Sequence, residues 1–261
     1  MDSARGRQGQ LAGHGVRIAA EKLFFYFGFF FGGLWFLLCS ATGIVWLLIR
    51  PRNRQTLYVY GKVFCRGLTR VMGWRVEVEN RDGMEAFRPC VIVANHQSFL
   101  DVVTFGSVFP RMTVSAGKRE IGRIPIFGWF YRLSGNLVID RSDARQARDS
   151  LEKAAESMRA EKIAVWFMPE GHRNTGAELL AFKSGAFRLA LAAGAPIVPI
   201  VAEPLTVIVD TKGRLARPGR LRVRVLDPVP TEGRTSRDVP LLVSRVRTSM
   251  QTALDELRGT R

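Results

Sequence analysis

An unperturbed imidazole titrates near neutral pH, which makes histidine the usual side chain for taking a proton from a hydroxyl. This 261-residue chain has three histidines, and one of them, His96, lies in the run Asn95-His96-Gln97-Ser98-Phe99-Leu100-Asp101. A carboxylate on one ring nitrogen would hold the imidazole and leave the other nitrogen to activate an alcohol. Spacing decides whether Asp101 can be that carboxylate. On one continuous helix a five-residue step rotates two side chains about 140° apart, so the pair meets only if His96 precedes the helix. The apolar run Val91-Ile92-Val93-Ala94 reads as a strand and the segment reaching Phe109 as a helix, which puts the heptad in the intervening turn. The same letters also fit a plain helix cap, with Ser98 and Asp101 three apart. A covalent route through Ser98 lacks the G-x-S-x-G elbow, which the chain does not contain.

Three further polar clusters follow predicted strands: Ala116-Gly117-Lys118-Arg119-Glu120, Asp140-Arg141 after Gly135-Asn136-Leu137-Val138-Ile139, and Pro169-Glu170-Gly171-His172-Arg173-Asn174. In open α/β sheets the crevice beyond the strand ends is where ligands bind. Lys118 and Arg173 would there offer cations to a phosphate, Arg173 with two parallel donors. Taken singly, Lys118-Arg119 also reads as solvated surface, Asp140-Arg141 as a surface pair and Glu170 as an ion-pair partner of Arg173. No Walker sequence or G-x-G-x-x-G occurs, so nucleotide readings lack their usual signals.

These residues need a sheet to position them. Strands are predicted at 76–78, 91–94, 113–115, 137–139, 163–167, 197–201 and 221–225. Ser142 is placed to cap a helix carrying Ala144, Ala147, Leu151, Ala154 and Met158 on one face, a second helix covers about 182–193 before Gly194 and Pro196, and a third carries Val239, Leu242, Val246, Met250 and Leu257. The pattern predicts an α/β domain over 75–261, with a central sheet flanked by helices.

Ahead of it, residues 1–22 read as a basic flexible tail and residues 23–74 as a membrane-anchoring helical region. Residues 23–49 hold no charge in 27 positions; as one helix they would extend about 40 Å, against a hydrocarbon core of about 30 Å. A tilted span and a re-entrant hairpin broken at Gly32-Gly33 both fit. Residues 55–74 read as an amphipathic helix with Lys62, Arg66 and Arg70 in a basic stripe, suited either to the core or to anionic headgroups. The net charge of +16 favours polyanionic partners. No zinc-finger spacing or aromatic RNA-binding signature supports nucleic acid, whereas the apolar segment supports lipid. Cys39, Cys65 and Cys90 are widely spaced and form no C-x-x-C, which predicts buried thiols rather than a disulfide framework or metal cluster.

Taken together, the blocks resemble the glycerolipid acyltransferase family, in particular the bacterial 1-acyl-sn-glycerol-3-phosphate acyltransferases. Asn95 through Asp101 is similar to its N-H-x4-D block, residues 118–128 with 135–141 to its second, Phe167-Met168-Pro169-Glu170-Gly171-His172-Arg173 to its F-P-E-G-T-R block and Val198-Pro199-Ile200-Val201 to its fourth; Phe182-Lys183-Ser184-Gly185-Ala186-Phe187 fits as well. The resemblance covers about residues 23–205. It implies a mixed central sheet and transfer of an acyl chain from an acyl-carrier-protein or coenzyme A thioester to the 2-hydroxyl of lysophosphatidic acid, giving phosphatidic acid without a metal or other cofactor. On that pattern His96 is the general base, Asp101 orients it, and Lys118, Glu170, Gly171 and Arg173, with help from Lys183, hold the glycerol phosphate. It also implies a bacterial inner membrane location with the catalytic domain facing the cytoplasm. His172 departs from the family's threonine and Met168 from its common phenylalanine. Two other readings are an acyltransferase for glycerol 3-phosphate or a lyso-aminolipid such as lyso-ornithine lipid, and a non-catalytic basic membrane adaptor.

Overall fold

A computed structural model describes residues 2–139, 144–174 and 176–259, with the side chains of 2–13, 118–119, 138–139 and 144–148 left aside. In chain order the helices are α1 (Asp2–Ile49), α2 (Thr56–Tyr60), α3 (Arg66–Val71), α4 (Asp82–Glu85), α5 (Asp101–Val108), α6 (Phe127–Leu133), α7 (Ala144–Glu161), α8 (Gly185–Ala193) and α9 (Val239–Gly259). The strands are β1 (Trp74–Glu79), β2 (Cys90–Ala94), β3 (Thr113–Lys118), β4 (Leu137–Ile139), β5 (Ala164–Phe167), β6 (Ile197–Ala202), β7 (Val209–Asp210), β8 (Leu215–Ala216) and β9 (Gly219–Val225).

Seven strands form one sheet in the order β1-β9-β6-β2-β5-β3-β4. It is mixed, because β9 runs antiparallel to β6 while the other pairings are parallel. All seven predicted strands are present. β2, β5 and β6 are buried along their whole length, as parallel strands covered on both faces must be, and each reads as a continuous apolar run for that reason. Alternation along β2 divides the core. Val91 and Val93 pack with Phe187, Met158 and Leu254 of α8, α7 and α9, whereas Ile92 and Ala94 pack with Phe105 and Val108 of α5 on the other face.

On that second face α1 and the segment 56–71 form an antiparallel pair. A side chain at Gly28 would collide with Met72, and one at Gly43 would lie 2.5 Å from the Phe130 ring, so glycine lets α1 approach closely. Tyr60 fills the junction, its ring 4.7 Å from that of Phe130 and its hydroxyl 3.2 Å from Ser40 Oγ. The outer face of α1 stays bare: Leu23, Phe30, Leu48 and Ile49 are 69–73% exposed. Among the described residues, one helical stretch, His14–Ile49, is long and apolar enough to cross a membrane.

Several expectations need correction. The backbone of 2–22, expected as a flexible tail, is helical and continuous with the apolar segment. It contains no proline, and extending an existing helix avoids the cost of nucleation. Gly32-Gly33 does not break α1, which excludes the hairpin form of the anchor. Residues 55–74 contain a π-helical turn, Gly61–Cys65, between α2 and α3. The extra residue per turn shifts the helical register, so the basic stripe divides: Arg66 and Arg70 border a groove beside β1, while Lys62 Nζ lies 5.0 Å over the Tyr58 ring. The helix expected from 182 begins at Gly185. The Ser142 cap and Asp140-Arg141 lie outside the described residues. Unforeseen were β7 and β8, a hairpin too short for any periodicity, whose turn is held by Asp210 Oδ1 accepting from Lys212 N and Gly213 N. Cys39, Cys65 and Cys90 are buried free thiols.

Candidate active site

The chain leaves the sheet at Ala94 and the next helix begins at Asp101, so His96 lies in a turn between strand and helix. That turn solves the spacing problem. Asp101 reaches back with one oxygen, Oδ2, which accepts from His96 Nδ1 at 2.9 Å, from Gln97 N at 2.6 Å and from Ser98 N at 2.8 Å. One carboxylate thus orders the turn and holds the imidazole at once, while the helix itself starts after Leu100 without a side-chain cap, so only the Ser98 N–H half of the capping pattern is present. Ser98 Oγ accepts from Leu100 N at 3.2 Å, a local turn bond. Asp101 is 6% exposed, while the His96 side chain is 20% exposed. Nδ1 is committed to Asp101, which leaves Nε2 as the lone-pair nitrogen.

Two buried side chains hold this turn from below: Asn95, to which sequence reasoning gave no role of its own, and Glu170, which it expected at the phosphate. Asn95 acts as a substitute peptide group: its Oδ1 accepts from Ala202 N at 2.9 Å and its Nδ2 donates to Ala202 O at 3.0 Å, with a further bond to Gln97 Oε1 at 3.0 Å. It continues the pairing of β2 with β6 by one step after the chain has turned away.

Glu170 is the second. It is 2% exposed, and its two oxygens accept from His96 N at 2.7 Å and Leu180 N at 3.0 Å. Burial pushes its carboxyl above the ordinary value of 4.5, against the opposing pull of those backbone donors. Glu170, expected to help hold the glycerol phosphate, faces two backbone donors here and braces the turn. No ion pair joins it to Arg173 among the described residues.

Gly171 and Arg173 follow on the same loop. Gly171 adopts φ +73°, a left-handed conformation that favours glycine, and donates to Met168 O at 3.1 Å. The Asn174 backbone N–H then reaches His96 O at 2.8 Å. His96 is thus tied at both its N–H and its C=O to the loop that carries Arg173. His172, Arg173 and Lys183 are exposed; Lys183 N donates to Pro169 O at 2.9 Å. Lys118 closes β3, paired with Ile139, and its side chain lies outside the described residues. The ring of Phe99, in the His96 turn, lies 5.9 Å from that of Phe29 on α1, so apolar surface borders the site.

The acyltransferase family model matches residues 75–203. The 1-acyl-sn-glycerol-3-phosphate acyltransferase alpha of Homo sapiens is 36% identical over 91% of this chain and 83% of its own length. The 1-acyl-sn-glycerol-3-phosphate acyltransferase of Escherichia coli K12 is 32% identical over 85% of this chain and 89% of its own. Among solved structures, the 1-acyl-sn-glycerophosphate (LPA) acyltransferase PlsC from Thermotoga maritima aligns with a TM-score of 0.67 at 23% identity, covering 93% of this chain and 97% of that one. At that identity the likeness speaks for the fold.

Proposed function

This chain belongs to the 1-acyl-sn-glycerol-3-phosphate acyltransferases of the acyltransferase family, and we propose that it moves a fatty acyl group from a thioester to the sn-2 hydroxyl of lysophosphatidic acid. The observation that carries the mechanism is the His96 to Asp101 bond of 2.9 Å, with Nε2 left to act as base.

Asp101 accepts the Nδ1 proton and so fixes the tautomer. Nε2 takes the proton of the sn-2 hydroxyl as its oxygen attacks the thioester carbonyl. A carbon–oxygen bond forms, the carbon–sulfur bond of the resulting tetrahedral intermediate breaks, and the thiolate leaves, reclaiming the proton from the imidazolium. The positive charge that His96 gains during attack is balanced by Asp101. No acyl-enzyme is required. Arg173 holds the acceptor's phosphate with paired donors, Lys183 and Lys118 add positive charge, and Glu170 and Gly171 fix the loop that presents Arg173.

Coenzyme A and acyl carrier protein both present the required thioester. The apolar outer face of α1 keeps the domain at the membrane where its lipid substrate resides, on the cytoplasmic side, where such thioesters are made and basic segments are retained.

The test is acyl transfer by the detergent-solubilised protein from a defined thioester, offered lysophosphatidic acid, glycerol 3-phosphate and a lyso-aminolipid in parallel. Selective phosphatidic acid formation is expected, with loss of turnover in a folded His96→Ala variant. Turnover retained in that variant would remove His96 from the mechanism, and preference for another acceptor would replace the substrate.

A further inference from the structure

Away from the His96 turn, at the β1 edge of the sheet, a cavity of 280 Å³ opens between α3, β1 and the end of α5. A second cavity of 780 Å³ shares Thr69, Arg70, Trp74 and Arg75 with it, so the two form one groove along the edge strand. Edge strand β1 is three places from β2 in the sheet, about 14 Å at about 4.8 Å per strand. The groove is therefore separate from the catalytic turn.

Its charge is one-sided. Arg66, Arg70, Arg75, Arg81 and Arg220 line it, against a single acidic residue, Glu77. Glu77 is already matched by Arg220 at 3.6 Å. Among the described residues, the guanidinium groups of Arg66, Arg70, Arg75 and Arg81 take part in no ion pair or hydrogen bond. Holding four unmatched arginines around one concavity costs electrostatic free energy that an anion would recover, and guanidinium forks suit phosphate oxygens.

The position of the groove specifies the kind of anion. Arg70 is followed directly by Val71, 59% exposed, and then by Met72, which packs where Gly28 leaves room on α1. Arg70 and Met72 lie about 200° apart around α3, so the arginines face away from α1 and stand about two helix widths, about 20 Å, from its bare apolar face. A molecule with a phosphate at one end and acyl chains at the other would satisfy both surfaces.

We propose that the Arg66, Arg70, Arg75 and Arg81 groove is a second, non-catalytic site for the phosphate of an anionic phospholipid, whose chains run along α3 and α1. The site orders the protein at an anionic membrane without touching the reacting atoms.

The experiment uses the full chain in neutral detergent and short-chain phosphatidylglycerol as the probe, a phosphodiester that is neither the acceptor nor the product of the proposed reaction. Phosphatidylcholine with the same chains, inorganic phosphate and polyglutamate are the comparisons. Saturable binding of phosphatidylglycerol is expected. It should weaken at least ten-fold in Arg70→Gln/Arg75→Gln, the effect of losing one or more charge-assisted contacts, and equally in Arg66→Gln/Arg81→Gln. Arg237→Gln, in an exposed turn outside the groove lining, should bind as the parent does. Binding in an Arg173→Gln variant should be unchanged, which separates the groove from the proposed phosphate clamp beside His96.

Equal affinity for phosphatidylcholine would overturn the proposal, as would unchanged binding in both double variants with parental melting temperatures. So would inorganic phosphate or polyglutamate binding more tightly than phosphatidylglycerol, since the ligand would then be a free anion or an acidic protein.

Discussion

Replacing Asp101 by Asn separates two jobs that one oxygen performs. Oδ2 collects three donors, from His96, Gln97 and Ser98, and a neutral amide oxygen in the same place can still accept all three. The amide NH2 is kept away from the imidazole because two backbone N–H groups hold the oxygen in position, so the tautomer survives. Stability should therefore fall by only about 1 kcal/mol, the difference between charged and neutral acceptors. Asp101→Ala, which orphans all three donors beside a residue that is 6% exposed, should cost about 3 kcal/mol or more.

Catalysis should respond differently. Two unit charges at close range in a partly buried site attract by up to about 4 kcal/mol at an effective dielectric of about 20, and the imidazolium exists only once the hydroxyl proton has moved. Losing the carboxylate charge should lower kcat by about 10²- to 10³-fold, at about 1.4 kcal/mol per decade, with KM nearly unchanged. The assay is steady-state acyl transfer from a defined thioester with lysophosphatidic acid varied, alongside thermal melting of both variants. Asp101→Asn retaining more than about a tenth of the parent kcat would refute the charge-balancing role. Equal destabilisation by Asn and Ala would refute the claim that the oxygen, not its charge, orders the turn.

Glu170 makes a pH-dependent prediction. Burial raises its pKa in the fold above 4.5, so the folded chain holds this proton more tightly than the unfolded one. The stability of the parent relative to Glu170→Gln should therefore fall as pH rises from the unfolded value through the folded one; a relative stability that rises over that range in parallel melting curves would contradict this. Arg173→Ala should raise KM about ten-fold for a phosphate-bearing acceptor and leave kcat largely intact, and an equal loss with a phosphate-free acceptor would count against a phosphate contact.

The strands were legible because β2, β5 and β6 are apolar on both faces and stand out as runs between turn signals. The His96–Asp101 contact was legible as a constraint: five residues apart, the two can meet only across a turn, and the turn is there. The bracing bonds of Glu170 were not legible because its partners are backbone groups 74 and 10 residues away, and composition carries no trace of a main-chain donor. Asn95 was overlooked for the same reason, its two bonds to Ala202 spanning 107 residues. The basic stripe looked uniform because sequence spacing assumes an unbroken α-helix, and the π turn at Gly61–Cys65 removes that assumption.

The double attachment of His96 has a geometric consequence. Its N–H is fixed to Glu170 and its C=O to Asn174, with Arg173 on the chain between those two anchors. The proton acceptor and the proposed phosphate clamp are mounted on one rigid frame and cannot drift apart separately. The frame serves as a ruler: an acceptor gripped by its phosphate presents to Nε2 only a hydroxyl lying a set number of bonds from phosphorus. Positional selectivity on the glycerol backbone would then follow from a fixed length rather than from recognition of the hydroxyl itself, and a loosened frame would acylate the wrong carbon before it stopped acylating at all.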